Sequence, residues 1–400
     1  MKEDESMKDK IKQLGKQGSA IRELFEYGKV RKSQIGDDKV FDFSIGNPNV
    51  ASPKIVNEKI IEILTTMDSV LVHGYSSSTG DLTTRNAIAS YLNKTFSVNE
   101  QGKYIYLTHG AAASLSISFH ALLSDDDEVI VFAPFWPEYK VLVEHSGAKL
   151  VIVNSDDRFM PDFTDLNNKI NKNTKMVIIN SPNNPTGVIY TEKVIEKLSY
   201  LLNQKQKEFD TTIYLLSDEP YRDLIYSDVK YPFITKYYDN ALVAYSFSKS
   251  LSLPGERIGY LLVGSKTKDV DDVFACVVGA GRSLGFVCAT SLFQKLIPYC
   301  LGYTTDLSVY KENRELLYNK LVSLGYDVVY PDGAFYLFVK ALEEDDELFS
   351  KVAKDFELLL VPSSSFGVKG YVRIAYCVSK ETIVNSFEAF EKLMKHYKGE

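Results

Sequence analysis

Between about residue 55 and residue 295, short apolar segments alternate with longer stretches whose apolar positions recur at helical spacing. The apolar segments are KYIYLTHG, EVIVFAPF, KLVIV, KMVIINSP, TIYLLSDE, ALVAYSFS and IGYLLVG. Several of them are almost continuously apolar, which is typical of strands that are covered on both faces. This pattern predicts an α/β fold in which a mostly parallel mixed sheet is sandwiched by helices.

The pattern changes after about residue 296. A long helix is predicted within TDLSVYKENRELLYNKLVSLG, where Asp306 or Thr305 can cap the start and Gly325 ends the helix. Short strand patterns (GAFYLFVK, LLLVPSS and YVRIAYC) and a last helix from Ser379 follow. The predicted organisation is an N-terminal arm that forms part of the small domain over 1–54, a large domain over 55–295 and a small α+β domain over 296–400.

Composition and charge argue against some classes of binding partner. The chain is 45% hydrophobic and 25% charged, with a formal net charge of −7 and no basic block. We therefore expect neither nucleic acid nor an anionic membrane as a partner. The start, MKEDESMKDK, carries both signs of charge and no apolar run, and no segment reaches the roughly 18 to 20 apolar residues of a membrane span. These features predict a cytoplasmic protein.

The cysteines and histidines do not indicate a metal site. Four cysteines occur without a CxxC pair, and five histidines are scattered without a metal-binding spacing such as HExxH. We interpret the cysteines as core thiols in a reducing compartment and expect no bound metal.

Polar and aromatic side chains follow the predicted strands where each strand ends. In an open parallel sheet, ligands bind outside the carboxyl ends of the strands. The residues in that position are Ala111 and Ala112 after the first strand, Trp136, the turn NNPTG over 183–187, Asp218 with Tyr221, and Lys249. Each has an ordinary structural explanation by itself, such as a helix cap or a turn. Those explanations do not account for the presence of all these side chains at the same edge of the predicted sheet.

Pyridoxal 5'-phosphate (PLP) requires this set of side chains. Its aldehyde forms a Schiff base with a lysine amine, which Lys249 can supply. Its pyridine nitrogen needs a buried carboxylate, for which Asp218 is the candidate. Its phenolic oxygen can accept hydrogen bonds from Asn184 and Tyr221, and its ring can stack on Trp136.

The phosphate of PLP requires backbone N–H groups, hydroxyls and a cation. The helix start at Gly110, Ala111 and Ala112 can supply the N–H groups. The segment SFSKSLSLPGERIG over 246–259 adds the hydroxyls of Ser246 and Ser248 and the guanidinium of Arg257. The loop that carries the lysine therefore also carries a phosphate clamp.

With these residues in place, the chain resembles the class I/II aminotransferases, which are fold-type-I PLP enzymes. The resemblance covers roughly residues 20 to 395 and rests on motifs in the family's order. They are GNP (46–48), YSSSTG (75–80), THGAAASL (108–115), PFWPEY (134–139), NNPTG (183–187), SDEPY (217–221), SFSKSLSLPGERIG (246–259), GAFYLF (333–338) and YVRIAYC (371–377). Ala111 and Ala112 depart from relatives that offer a hydroxyl to the phosphate, and VPSSSFG lacks a glycine often found after that proline.

The resemblance implies an activity and a substrate site. It implies transfer of an amino group between an L-amino acid and a 2-oxo acid by a ping-pong mechanism, with Lys249, Asp218 and Tyr221 as catalytic residues. Arg373 would bind the α-carboxylate of the substrate, and the other substrate-binding residues would be Gly46, Trp136 and Asn184.

The resemblance also implies a homodimer with shared active sites, in which Tyr75 reaches the phosphate of the neighbouring subunit.

Of two alternative functions, one stays open at this point. A PLP-dependent carbon–sulfur β-lyase would use the same site, because free Lys249 removes the same proton and elimination follows if a leaving group sits on Cβ. The run DEPYRDL after the aspartate favours transamination. A transcriptional regulator would need an additional DNA-binding module, for which the roughly 40 residues before the first motif leave no room. The substrate side chain is undetermined, with Arg22 and Arg282 as candidate cations for its pocket.

Overall fold

The structure is a computed structural model that describes residues 7–16 and 18–400. Contacts divide the chain into two compact units. The smaller unit comprises the described residues up to Asn47 with Glu312–Tyr330 and Phe335–Glu400, and the larger unit comprises Pro48–Lys311 and Pro331–Ala334. The division assigns 48–54 and 296–311 to the larger unit. The domain boundaries inferred from the sequence stay a prediction.

Sixteen α-helices are described. They are α1 (Met7–Lys16), α2 (Ala20–Ile35), α3 (Lys54–Thr66), α4 (Ser69–His73), α5 (Leu82–Phe96), α6 (Ala111–Leu122), α7 (Glu138–His145), α8 (Phe163–Lys169), α9 (Glu192–Phe209), α10 (Phe247–Ser250), α11 (Val270–Ser283), α12 (Ser291–Cys300), α13 (Leu307–Leu324), α14 (Asp346–Asp355), α15 (Lys380–Asn385) and α16 (Phe387–Lys398). No helix in the described parts of the chain is long and apolar enough to cross a membrane.

Thirteen β-strands are described. They are β1 (Phe41–Asp42), β2 (Ile105–Thr108), β3 (Glu128–Phe132), β4 (Lys149–Val153), β5 (Thr174–Asn180), β6 (Tyr214–Asp218), β7 (Ala241–Ser246), β8 (Gly259–Val263), β9 (Val328–Val329), β10 (Tyr336–Lys340), β11 (Leu358–Leu359), β12 (Val361–Pro362) and β13 (Tyr371–Ala375).

The larger unit is built on a seven-stranded sheet with the order β2-β8-β7-β6-β5-β3-β4. Strands β4, β3, β5, β6 and β7 pair in parallel, whereas β8 is antiparallel to both β7 and β2. Every residue of β6, β7 and β8 is buried, as their continuously apolar sequences predict. The predicted α/β fold with a mostly parallel mixed sheet is confirmed.

The direction of β8 brings several loops to one edge of the sheet. Because β8 alone is reversed, the carboxyl ends of the other six strands share the edge at which β8 begins. Gly259, the first residue of β8, lies opposite Thr108 of β2 and Ser246 of β7. The loop before β8, which contains Arg257, therefore lies beside the segments that follow β2 and β7.

The smaller unit contains a four-stranded antiparallel sheet, β12-β13-β10-β9, and a parallel pair of β1 with β11. Residues of α2, β11 and β12 share a core that includes Leu24, Leu359 and Val361. Helix α2 is capped by Ser19, whose side chain accepts a hydrogen bond from the backbone N–H of Arg22. Helix α13 stops before Gly325, whose φ of +98° is easily adopted by glycine alone.

Two elements of the smaller unit differ from the sequence prediction. The segment LLLVPSS forms two short strands, because Leu358–Leu359 pairs with β1 and Val361–Pro362 pairs with β13. The last helix is divided into α15 and α16 at Ser386. The hydroxyl of Ser386 donates to the carbonyl oxygen of Ile383, and such side-chain bonds compete with the regular helical pattern.

Two glycines of α11 offer a matched test of packing in the larger unit. A Cβ atom on Gly281 would lie 2.5 Å from the hydroxyl oxygen of the buried Tyr106, whereas a Cβ on Gly279 would meet no atom within 4 Å. We expect Gly281→Ala to lower the free energy of unfolding by about 1–3 kcal/mol, because the ring of Tyr106 must move. Gly279→Ala should instead raise it by about 0.5–1 kcal/mol, since alanine is the better helix former.

Urea unfolding of the two variants beside the wild type measures both changes. Equal and stabilising effects of the two substitutions would contradict the described packing of α11 against β2.

Candidate active site

The phosphate end of the predicted site is assembled around Gly110. This residue has a φ of +90° and precedes helix α6, whose first N–H groups have no partner within the helix. A Cβ atom on Gly110 would lie 2.6 Å from Nη2 of Arg257, so a side chain at this position would displace the guanidinium. Nη2 of Arg257 also donates to the carbonyl oxygen of His109, at 3.1 Å. The structure therefore places Arg257 beside the start of α6, which contains Ala111 and Ala112.

The serines of the SFSK segment complete this end of the site. Ser246 caps the single helical turn α10, because its Oγ accepts a hydrogen bond from the N–H of Ser248 at 3.0 Å. The hydroxyl of Ser246 also donates to Oγ of Ser248, at 2.5 Å. Nη1 of Arg257 lies 3.4 Å from the same Ser248 oxygen. One guanidinium, two hydroxyls and a helix N-terminus thus converge, which is the arrangement that a phosphate dianion requires.

Asp218 lies buried at the carboxyl end of β6. The hydroxyl of Tyr139 donates to its Oδ2 at 2.6 Å, while its Oδ1 has no hydrogen-bond partner among the described residues. Burial raises the pKa of the Asp218 carboxyl to about 7; the neighbouring charge of Glu219 adds to the effect and the hydrogen bond from Tyr139 opposes it. A buried carboxylate oxygen without a partner favours a cationic ligand at this position.

Asn184 and Tyr221 lie in the loops that follow β5 and β6, and both are buried. The backbone N–H of Asn184 donates to Oδ1 of Asn180 at 2.8 Å, and Nδ2 of Asn180 donates to the carbonyl oxygen of Asp218 at 2.9 Å. Asn180 lies directly opposite Asp218 in the sheet. A single amide therefore holds the loop of Asn184 against the end of the strand that bears Asp218.

Trp136 and Lys249 complete the predicted residues at this edge. The ring of Trp136 packs edge-on against Tyr139, with ring centroids 5.5 Å apart and an interplanar angle of 88°. Lys249 is half-buried on the turn α10 directly after β7. The strands that end before these residues are parallel and belong to one sheet, so the structure brings the lysine to the same edge as Asp218.

Arg373 and Gly46 belong to the smaller unit. Arg373 lies on β13, is only 2% exposed, and donates from Nη2 to the carbonyl oxygen of Ser44 at 2.5 Å. Its guanidinium lies 4.6 Å from the ring centroid of Tyr336. A Cβ atom on Gly46 would lie 2.0 Å from the hydroxyl of the same Tyr336, so these two predicted residues share one neighbour.

Three other candidates are exposed. Tyr75 is 99% exposed and so makes no contact with the other predicted residues within one chain. Arg22 on α2 and Arg282 on α11 are also exposed. Within residues 7–16 and 18–400 there is no group of three or more histidine, cysteine, aspartate or glutamate side chains that could hold a metal ion.

Tyr139 and Asn180 were not predicted as site residues from the sequence. Asn180 is the last residue of β5, so the search at strand ends could have identified it. Tyr139 follows Trp136 by three residues and belongs to α7. Its contact with Asp218 joins residues 79 positions apart, for which local sequence offers no signal.

Residues 38–390 match the family model of class I and II aminotransferases. The chain belongs to this family. It is 31% identical over 387 residues to an aspartate aminotransferase of Pyrococcus horikoshii, covering 94% of this chain and 95% of that one. A crystal structure of an amino transferase from Eubacterium rectale shares 54% identity with a TM-score of 0.95, covering 97% and 98% of the two chains. The aspartate aminotransferase structure from Thermotoga maritima shares 28% identity with a TM-score of 0.83, covering 94% and 97%.

The aminotransferase family depends on PLP, so the predicted cofactor and the predicted transaminase activity are confirmed. The residues of this chain fit the cofactor. The unpartnered Asp218 oxygen suits a protonated pyridine nitrogen, and the convergence at Gly110, Ser248 and Arg257 suits a phosphate. Of the two reactions left open by the sequence, the comparisons support transamination.

The raised pKa of Asp218 has a consequence for the aminotransferase without its cofactor. Unfolding lowers this pKa from about 7 to 3.8, so between these values the folded chain binds more protons than the unfolded chain. The contribution of Asp218 to stability is therefore full below pH 3.8 and is lost as the pH rises through about 7. We expect the melting temperature of the apoprotein to fall between about pH 5 and about pH 8 relative to that of Asp218→Asn.

Tyr139→Phe removes the hydrogen bond that lowers this pKa, and should move the loss of stability to higher pH. Tyr238→Phe serves as the control, because that buried hydroxyl donates to the carbonyl oxygen of Ile213, away from Asp218. Thermal melts across the pH range measure both effects. Identical pH profiles for the wild type, Asp218→Asn and Tyr139→Phe would show that Asp218 is not the titrating group.

Proposed function

We propose that this aminotransferase moves the amino group of an L-amino acid to a 2-oxo acid by a ping-pong reaction in which Lys249 holds PLP covalently. The observation that carries the proposal is the position of Lys249 on the turn α10. Ser248 of that turn contacts Arg257 and also accepts a hydrogen bond from the capping residue Ser246, and the turn follows a strand parallel to the one that ends at Asp218. PLP supplies the electron sink for the charge that develops on the substrate Cα when its proton leaves.

Lys249 is the proposed general base. Its Nζ must be neutral to take the proton of the substrate Cα, whereas an ordinary lysine has a pKa near 10.4. In the return direction the same Nζ gives the proton back, so one side chain serves as base and then as acid.

The other residues of the larger unit would hold and orient PLP. Asp218 would keep the pyridine nitrogen protonated, and Asn184 and Tyr221 would donate to the phenolic oxygen. Trp136 would stack on the ring. The N–H groups at 110–112, the hydroxyls of Ser246 and Ser248, and Arg257 would bind the phosphate, as supported by their convergence around Gly110.

Arg373 is the proposed ligand of the substrate α-carboxylate, together with Gly46, Asn184 and Trp136. Its burial and its contact with the Tyr336 ring hold the planar guanidinium in one orientation, which suits bidentate carboxylate binding. Two of the relatives described above are named aspartate aminotransferases, so L-aspartate is the first amino acid to test.

We propose a cytoplasmic homodimer in which Tyr75 contributes to the site of the partner subunit. The phenol of Tyr75 is 99% exposed, and helices α3 and α4 before it carry exposed apolar side chains, including Ile61 at 63%, Val70 at 77% and Leu71 at 63%. An apolar exposed surface of this kind is typical of a subunit interface. All four cysteines are free thiols, which supports a reducing compartment. The interpretation of all four as core thiols is wrong, because Cys276 is exposed and Cys288 is half-buried, whereas Cys300 and Cys377 are buried.

The absorption spectrum of the purified holoenzyme tests the proposed reaction. Addition of a substrate amino acid without any oxo acid should convert the visible band of lysine-bound PLP stably to the near-ultraviolet band of the amine form. Lys249→Ala should abolish turnover while PLP stays bound non-covalently, and the exposed Lys266→Ala is the matched control. Full activity in Lys249→Ala would falsify the assignment. Release of pyruvate and ammonia from cysteine, with the visible band restored, would indicate a β-lyase.

Complementation between inactive variants tests the shared site. Tyr75→Ala and Lys249→Ala should each be impaired, but a hybrid dimer of the two contains one site with both residues intact. Co-refolding equal amounts should restore about a quarter of the wild-type activity, because half of the dimers are hybrids with one working site each. No recovery in verified hybrids would place Tyr75 in the site of its own subunit or outside the site.

A further inference from the structure

A buried polar cluster lies directly behind the loops that carry the proposed site. We call it the Tyr245 network, and its residues are Glu219, Arg222, Asp223, Tyr245, Ser250 and Tyr260. All except the half-buried Asp223 are buried. Buried polar groups of this kind are hydrogen-bonded in a specific geometry, because a mispaired one is costly. The proposed reaction assigns no task to any of these six side chains.

The hydrogen bonds of Tyr245 have a defined direction. Its hydroxyl donates to Oδ2 of Asp223 at 2.5 Å and lies 2.8 Å from Oγ of Ser250. A phenol has one proton to donate. Because the Tyr245 hydroxyl donates its proton in the hydrogen bond to Asp223, the hydroxyl of Ser250 must be the donor in the hydrogen bond between Ser250 and Tyr245. Ser250, Tyr245 and Asp223 therefore form an ordered chain that ends on a carboxylate, where hydrogen bonds are strongest.

Arg222 holds the ring of Tyr245 in place. Its guanidinium lies 4.1 Å from the Tyr245 ring centroid, donates to Oε2 of Glu219 at 2.8 Å and donates to the hydroxyl of Tyr260 at 3.1 Å. Tyr260 lies opposite Tyr245 across β7 and β8, and the two rings stack with centroids 5.0 Å apart. The ring of Tyr245 thus contacts both a cation and a second aromatic ring.

Each residue of the network is close in sequence to a residue of the proposed site. Glu219 and Arg222 follow Asp218 and flank Tyr221, and Ser250 immediately follows Lys249. The turn α10 has only four residues and cannot be stable by itself. Its first residues are held by the Ser246 cap, and its last residue is held by Tyr245.

We propose that the Tyr245 network positions Lys249 relative to Asp218 and so sets the rate at which the lysine reacts. The network joins the segment after β6 to the end of α10 through side chains, independently of the ladder between β6 and β7. Tyr245, Asp223 and Ser250 are positioning residues, since they act through Lys249. The inference rests on the proposed covalent role of Lys249.

The test measures the rate at which the full-length apoprotein captures PLP, that is, forms lysine-bound PLP. At saturating PLP, growth of the visible band is a first-order process that reports the approach of Lys249 and not the affinity for the cofactor. We expect Tyr245→Phe to slow this step about tenfold, the size of one lost hydrogen bond to a charged group. Tyr238→Phe is the matched control, because it removes a buried hydroxyl of the same unit that donates to Ile213.

A purely structural role would lower the melting temperature of both phenylalanine variants and leave the capture rate unchanged. Ser250→Ala should also slow capture, and the double variant should be no slower than Tyr245→Phe, because both substitutions break the same chain of hydrogen bonds. If Tyr245→Phe does not fold, the capture rate of Ser250→Ala is compared with that of the wild type instead. Wild-type capture rates in folded Tyr245→Phe and Ser250→Ala would overturn the inference.

The two proposals can fail separately. If the wild-type chain forms no lysine-bound PLP, or if Lys249→Ala still forms it, the proposed function fails and this inference with it. If the wild type captures PLP through Lys249 and Tyr245→Phe does so equally fast, the inference alone is overturned.

Discussion

The reversed strand β8 is the constraint on which the phosphate end of the site depends. Its first residue, Gly259, lies between Thr108 of β2 and Ser246 of β7. A Cβ atom on Gly259 would lie 2.3 Å from the carbonyl oxygen of Tyr245 and 3.0 Å from Cα of Gly110. A side chain at this position would separate the strands. The close approach of the three strands brings Arg257 to the helix N-terminus and to the serines.

The second constraint is the distribution of buried negative charge after β6. Asp218 and Glu219 are adjacent and both buried. Glu219 forms an ion pair with Arg222 at 2.8 Å, whereas Oδ2 of Asp218 accepts a hydrogen bond from the neutral hydroxyl of Tyr139. Burial raises the pKa of both carboxyls, and Oδ1 of Asp218 and Oε1 of Glu219 each have no hydrogen-bond partner among the described residues. In the proposed function a protonated pyridine nitrogen supplies the missing positive charge, so cofactor binding and folding stabilise each other.

The supporting residues around the site act at different distances from the proposed chemistry. Asn180 bonds directly to the backbone of Asp218 and Asn184. Tyr139 donates a hydrogen bond to the carboxylate of Asp218 itself. The Tyr245 network is one step further away, and its Ser250 directly follows the lysine in the chain. Rigid support of this kind is what allows a short turn such as α10 to present a side chain in one geometry.

Local sequence determined the strands, the helix ends and the types of side chain at the sheet edge. Apolar runs such as ALVAY predict buried strands, because a strand buried on both faces has no alternation of apolar and polar residues. Gly325 ends a helix because its φ is positive. The set of lysine, aspartate, asparagine, tyrosine and arginine at strand ends was likewise readable from the sequence, since parallel strands end at one edge.

Only the tertiary structure decided which of these residues touch. The division of LLLVPSS into two strands follows from two different partner strands, β1 and β13. The contacts of Tyr139 and Asn180 with Asp218 join residues 79 and 38 positions apart. They depend on the strand order β3-β5-β6, whereas hydrophobic periodicity describes only which face of an element is buried. Partner choice between strands is a long-range property, and local pattern does not encode it.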